Sequence, residues 1–414
     1  MKTQNIIVVG AGICGLSAAI WLRRAGHDVT LIDKDGPGAG ASYGNAGLLA
    51  EWAVVPVSGP GIAWMGLKYL MSRDAPLSLQ WSQMPRLAPW LAQFLRNSTD
   101  TRTRRISAAL SHLLHDSVDQ HRALTRGTRA ERWIASSDFG WAYADRAAFE
   151  KDAYTWELRR LAGYVPDVID GPAVREVVPM LGPATNCLVR LKGHGHIVNP
   201  GAYMADLAQV LEDEGGTLRR AEMRDVAMVD GRITEVLTDQ GPLPCDTAVL
   251  AAGIWSEPLA RKLGVRVPLV AERGFHLEFK GPSQVPKMPL MMTGGKFAVN
   301  PMEQGLRCAG MVELGGTSAK MSRGPLNLLA RNVARVFPGL RYDSVEEWMG
   351  YRPSTPDSLP LIGEMGVSGV FAAFGHQHIG LTGGPKTGRW VADMIGGRGN
   401  ADLQPFDANR FRWS

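Results

Sequence analysis

The first 33 residues pass through three kinds of patterning. Ile6-Ile7-Val8-Val9 is a continuous apolar run, followed by glycines at positions 10, 12 and 15. Leu16, Ala19, Ile20 and Leu22 then recur at helical spacing, and Val29, Leu31 and Ile32 form a second apolar run closed by Asp33. Strand, tight turn, helix and strand account for that order. Gly10 allows the turn, Gly12 lets backbone approach a pyrophosphate, and Gly15 lets helix and strand pack closely. Free N–H groups at the helix start face the anion, and Asp33 stands where an acid accepts hydrogen bonds from ribose hydroxyls. The pattern predicts the opening of a dinucleotide-binding unit.

Farther on, residues 36–47 are rich in glycine and small polar residues and read as a second cofactor-hugging loop, or else as a flexible connector. Residues 51–96 hold Trp52, Trp64, Trp81 and Trp90 among prolines and leucines. These aromatics are expected to be buried against a second domain; the rival reading is a partner- or membrane-contacting surface. Ile106, Leu110, Leu113, Leu114 and Val118 predict one long helix over 101–126, with His112, His115 and His121 on or near it as structural or solvated residues. Asn199 as N-cap and Pro200 at the first position open a helix running to about Glu214. Strands are predicted at 217–220, 223–229, 232–237 and 245–252, and alternating segments at 267–279, 297–301 and 306–312 suggest an antiparallel sheet. A helix near 326–336 stops at Pro338-Gly339, and strands at 359–363 and 369–374 lead into a helix from Gly380.

The expected fold class is therefore α/β (α+β overall): a Rossmann-like nucleotide domain from residues 1–50, 196–265 and 351–414, and a substrate domain on a mixed or antiparallel sheet from 51–195 and 266–350. At 414 residues the chain is long enough for two domains. A net charge of +5 with dispersed arginines leaves no nucleic-acid footprint. Cys14, Cys187, Cys245 and Cys308 stand alone, so no metal site or disulfide framework is indicated and a reducing compartment fits. The expected location is cytoplasmic, with peripheral contact at the cytoplasmic face of the inner membrane as an extension, since no stretch is long and apolar enough to span a bilayer.

No second glycine fingerprint occurs, so one dinucleotide is expected, with reducing equivalents drawn from the substrate itself. Asp33 is followed by Lys34 rather than arginine, which gives little support for a 2′-phosphate. The run Gly375-His376-Gln377-His378-Ile379-Gly380-Leu381-Thr382 ends a strand and begins a helix, whose positive end suits the pyrimidine edge of an anionic reduced flavin. Arg352 offers a planar fork of donors that can grip a carboxylate bidentately; its alternative is a structural arginine paired with an acid. Arg273, Arg307 and His276 fall in the predicted substrate sheet as weaker candidates, and His376 and His378 could shape an amine pocket.

The chain resembles the D-amino-acid oxidase superfamily of FAD-dependent amine oxidoreductases, and most closely its bacterial D-amino-acid dehydrogenase branch, including D-hydroxyproline dehydrogenase-like members. The resemblance is carried in order by Val8-Val9-Gly-Ala-Gly-Ile-Cys-Gly15, Ser42-Tyr-Gly-Asn-Ala-Gly47, Val249-Leu-Ala-Ala-Gly-Ile-Trp-Ser256, Gly305 to Glu313, Gly350 to Gly363 and Gly375 to Thr382. It implies that Gly10, Gly12, Gly15 and Asp33 hold the adenosine and pyrophosphate, with Lys34 beside them. It implies that Ser42, Asn45, Ala46, Gly47 and Leu48 line the flavin, that the Met223 backbone meets the adenine, and that Gly253 and Trp255 approach the middle of the cofactor. Gly375, Gly380, Leu381 and Thr382 would reach its pyrimidine end, and Arg352 would clamp a substrate carboxylate. Relatives with covalent FAD carry a cysteine where this chain has Gly350, so the FAD is expected to be noncovalent.

The activity implied is hydride transfer from the α-carbon of a D-amino acid, D-proline or cis-4-hydroxy-D-proline included, to flavin N5. The imine formed would hydrolyse or persist as a ring, with electrons passed to a quinone or other carrier. A glycine, sarcosine or N-methyl amino acid oxidase using oxygen stays open, as does a non-catalytic flavin subunit docked through residues 51–96.

Overall fold

The computed structural model describes residues 2–61, 77–80, 83–317 and 320–411. Trp64 and Trp81, two of the four tryptophans singled out above, lie outside the described residues.

Two large sheets and a small three-stranded one organise the chain. In the first, strands Leu361–Glu364, Val370–Phe374, Thr247–Leu250, Asn5–Val9, Asp28–Asp33 and Thr217–Arg220 lie side by side in that order. All pairings are parallel except that of Leu361–Glu364, the edge strand. The central strands are apolar on both faces because both are covered: Ile6, Val8 and Leu31 pack on helices, and Ile7, Val9 and Ile32 pack on the three-stranded sheet Met223–Val229, Arg232–Thr238 and Gly241–Pro244. The glycine turn leads from Asn5–Val9 into helix Ile13–Arg24, as its spacing predicts.

The second sheet has ten strands. Its order runs Ser344–Ser354, Val270–Lys280, Gly305–Leu314, Phe297–Met302, Leu290–Met292, Ile134–Tyr143, Cys187–Ile197 and Leu48–Leu49, with two short strands beside it. Most of its pairings are antiparallel. Three of these strands, Ile134–Tyr143, Cys187–Ile197 and Ser344–Ser354, had no clear signal. Adjacent charges such as Glu346-Glu347 and polar runs such as Ser136-Ser137-Asp138 break the alternation that marks a half-buried strand. The strand Cys187–Ile197 runs to within two residues of the predicted Asn199 cap. The helix itself spans Pro200–Asp213, with the Asn199 side chain capping the Ala202 amide at 3.1 Å.

The long helix expected over 101–126 is two helices, Asp100–Leu114 and Ser117–Thr125. The break has tertiary causes. Lys386 Nζ donates to the His112 carbonyl at 2.6 Å and to Asp116 at 2.8 Å, and Ser117 Oγ donates to the Thr382 carbonyl at 2.7 Å. His121 is buried rather than solvated, with its ring nitrogens 2.8 Å from Tyr203 Oη and from the Leu381 carbonyl. Trp52 packs on Phe139 and Trp141, and Trp90 packs with Val270 and Leu314, so both described tryptophans of that segment are core residues of the second sheet's side.

Helix Gly380–Ile395 crosses helix Ile13–Arg24 at backbone contact. A Cβ on Gly388 would fall 2.5 Å from the backbone of Ser17 and Ala18, and one on Gly384 would fall 2.8 Å from Ile13. Neither side of the first contact can rotate away, because both are main chain. Replacing Gly388 with Ala is therefore expected to force the helices apart at a cost of about 1–3 kcal/mol, read as a lower Tm and weaker flavin retention; an unchanged Tm would show that the crossing has slack.

Candidate functional site

Both helix amino termini open into one cavity of about 600 Å³ lying between the two sheets. At its nucleotide end, Gly10 has φ +106°, a conformation that disfavours any side chain, and a Cβ there would lie 2.6 Å from the Ala251 carbonyl. Gly15 is not on the wall; a Cβ would lie 1.8 Å from the Gly10 carbonyl, so it serves the packing of the turn. Gly12 is the N-cap and brings no capping side chain. Ser42 Oγ accepts from the Ile13 amide at 3.1 Å, and the other amides of the first turn lack helical partners by construction. This cradle fits a pyrophosphate.

The Asp33 carboxylate accepts from the amides of Ala11, Asp35 and Gly36 at 2.8–2.9 Å. Three backbone donors set its orientation and leave Oδ2 one lone-pair direction for a hydroxyl from the cavity. Lys34, Met223, Gly253 and Trp255 line the same end, with Lys34 Nζ 4.9 Å over the Trp255 ring. Glu222, which the sequence reading missed, joins them because strand Thr217–Arg220 pairs alongside Asp28–Asp33.

Toward the other end, Ser42, Asn45, Ala46 and Leu48 line the wall, whereas Gly47 does not. Gly47 has φ +79° and no room for a Cβ against the Ile197 carbonyl, so it turns the loop into the second sheet. Gly375, Gly380, Leu381 and Thr382 reach the cavity. The start of helix Gly380–Ile395 has no side-chain cap, and Thr382 Oγ1 is held 3.2 Å from both the Ala50 amide and the Leu48 carbonyl. Uncapped amides there present positive charge to the cavity. The two helix starts and the glycine cradle together fit a dinucleotide whose second base carries negative charge when reduced.

Arg352 lines the cavity on the second sheet. Strand register places it directly opposite Glu272, and Nη1 donates to that carboxylate at 2.8 Å. The remaining guanidinium lies over Gly274, where a Cβ would come within 2.8 Å of Cζ. Nε and Nη2 have no hydrogen-bond partner among the described residues. The Arg352 charge, with hydrogen bonds from Arg352 and Ser354, holds the Glu272 carboxyl below the usual range against its burial. His378 is on the wall, and its surroundings lower its pKa, so it is neutral near pH 7. His376 is also on the wall but engaged behind it, 2.8 Å from Thr387 Oγ1 and 3.6 Å from Cys14 Sγ, and burial pushes its pKa down to about 3.

Arg273, Arg307 and His276 do not reach the cavity. Strand alternation turns Arg273 to the opposite face, where it is fully buried and donates to Glu313 at 2.7 Å. Arg307 donates to Glu278 and to the carbonyls of Tyr43 and Asn45, and His276 Nδ1 lies 3.0 Å from the Gly44 carbonyl. These two side chains tether the loop carrying Asn45 to the sheet. Two wall residues had no signal in the sequence. Arg159 lies on an ordinary amphipathic helix, Ala153–Leu161, and Lys296 has φ +53° in the turn before strand Phe297–Met302.

A model of the FAD dependent oxidoreductase family, DAO, matches residues 5–394. A D-amino-acid oxidase of Bradyrhizobium diazoefficiens is 35% identical over 99% of each chain. A D-amino acid dehydrogenase of Rhizobium rhizogenes is 28% identical over 99% of this chain and 100% of its own. Glycine oxidase from Geobacillus kaustophilus superposes over 100% of both chains with a TM-score of 0.75 at 21% identity, a likeness of fold. With the glycine cradle, both helix termini and a match across nearly its whole length, the chain belongs to the DAO family of FAD-dependent oxidoreductases.

Proposed function

We propose that the protein oxidises the CH–NH bond of a D-amino acid. The observation that carries this reading is the half-engaged guanidinium of Arg352: one nitrogen is fixed by Glu272, and two donors are left facing a cavity built for FAD. The names of the two curated relatives support the same substrate class.

When bound, FAD supplies a two-electron acceptor for the hydrogen on the carbon beside the amine. Gly10, Gly12, Asp33, Ser42 and the start of helix Gly380–Ile395 would hold it. Arg352 Nε and Nη2 would take the substrate carboxylate as a parallel pair of hydrogen bonds, which fixes the α-carbon in one orientation. Glu272 keeps the guanidinium from following a loosely bound ligand, and Gly274 gives it room. Neutral His378 can accept a hydrogen bond from the substrate nitrogen without adding a second positive charge beside it. The oxidised product, an imine, yields a 2-oxo acid and ammonia in water.

For reoxidation, a quinone or other carrier is the reading carried from the sequence. Oxygen is its rival, favoured by the relative named an oxidase. Anaerobic titration of the yellow protein with D- and L-amino acids tests the reaction class: bleaching by D-amino acids supports it, and no bleaching by any amino acid overturns it. Readmitting oxygen or a dye then separates the acceptors by which one restores the colour.

Two outcomes follow for the residues. Arg352→Lys keeps Glu272 paired but cannot present two parallel donors, so kcat/KM should fall about 100-fold, ~3 kcal/mol, with flavin content unchanged. Equal activity in this variant would remove Arg352 from substrate binding. Because Gly350 rather than cysteine faces the cavity, acid precipitation should leave the flavin in the supernatant; a yellow pellet would refute noncovalent binding.

A further inference from the structure

The cavity wall is electrically lopsided. Its carboxylates, Asp33, Asp35 and Glu222, all belong to the nucleotide end. The part formed by the ten-stranded sheet and the Trp52 segment carries Arg352, Lys296 and Arg159 and, among the described residues, no acid. Arg352 has Glu272, and Lys296 is exposed, but Arg159 is 8% exposed and makes no ion pair among the described residues. Its Nη1 donates to Thr155 Oγ1 at 3.0 Å, and its Nε is buried with no hydrogen-bond partner among the described residues. Asp152 acts on it only through space and is itself taken by Tyr143 Oη at 2.8 Å.

Three indoles surround this cation: Trp156, Trp141 and Trp52 have ring centroids 4.8, 5.1 and 5.9 Å from Arg159 Cζ. Such rings attract a guanidinium and orient it, yet they cannot satisfy its donors. A buried arginine stays charged, and leaving its N–H groups unpaired is costly unless an anion arrives. The rings explain how Arg159 is held, but not why it stands on a cavity wall.

Arg159 packs over Trp141, whose strand stands five positions along the same curled sheet from that of Arg352. Between them the wall is kept low by Gly274, Ala309, Gly310 and Ala298, and Met291 rises from the strand beside that of Trp141. One chamber thus has an arginine on its wall at each end and mostly small residues between them.

We propose that Arg159 determines specificity by receiving the side-chain carboxylate of a dicarboxylic D-amino acid whose α-carboxylate is held by Arg352. The assignment rests on the reading of the cavity as an amino-acid-oxidising site and narrows it to acidic substrates. Neutral amino acids, D-proline included, leave Arg159 unmatched.

The test compares the purified flavoprotein with its Arg159→Met and Arg159→Lys variants on D-aspartate, D-glutamate and D-2-aminoadipate, with D-glutamine, D-alanine and D-proline as neutral partners. The wild type should favour its best acid over the matching amide by about 10- to 100-fold in kcat/KM. Arg159→Met should erase that preference while neutral substrates change little, and Arg159→Lys should restore part of it. A readout without turnover is the Tm rise produced by glutarate, expected in the wild type and lost in Arg159→Met. Equal losses on acidic and neutral substrates, or a wild type bleached by neutral amino acids alone, would overturn the assignment and leave the amino-acid reading standing. A wild type bleached by no amino acid would overturn that underlying reading and this assignment with it.

Discussion

The contact on which the rest depends is the crossing of helices Ile13–Arg24 and Gly380–Ile395, where Gly388 meets the main chain of Ser17 and Ala18 without an intervening side chain. The two helices are nearly the whole length of the chain apart in sequence, yet their amino termini open into the same cavity. Each terminus offers unbonded amides and a partial positive charge. Close approach at Gly384 and Gly388 sets how far apart those two positive ends lie. A larger residue at the crossing would change that spacing and so the span available to one dinucleotide.

The second sheet solves a different problem. It places cations in an enclosed space without letting neighbouring acids neutralise them fully. Register pairs Arg352 with Glu272, which orients the guanidinium while leaving two donors open. Alternation sends Arg273 to the opposite face, where Glu313 meets it. Arg307 spends its donors on Glu278 and on the loop at Tyr43 and Asn45, so it positions the cofactor-facing loop from behind. Three arginines on adjoining strands thus have three different tasks, and strand geometry assigns them. Arg159 comes from outside the sheet and is held by aromatic faces instead of by a carboxylate.

Local sequence determined much of this protein by itself: the strand-turn-helix opening, the Asp33 position, the Asn199 cap and the helix from Gly380. In each case the signal is a short-range physical requirement, a positive φ, a helical period or a capping side chain, so neighbours in the chain suffice. The break between Leu114 and Ser117 was not legible, because Lys386 and Thr382, which cause it, lie more than 250 residues away. Nor could spacing say which face Arg273 and Arg307 take in their alternating segments, and the strand carrying Arg352 shows no alternation at all. Only the tertiary structure decided which of them faces the cavity and that Arg159 joins it, because register, face and the burial of a charge are fixed by pairing between distant segments.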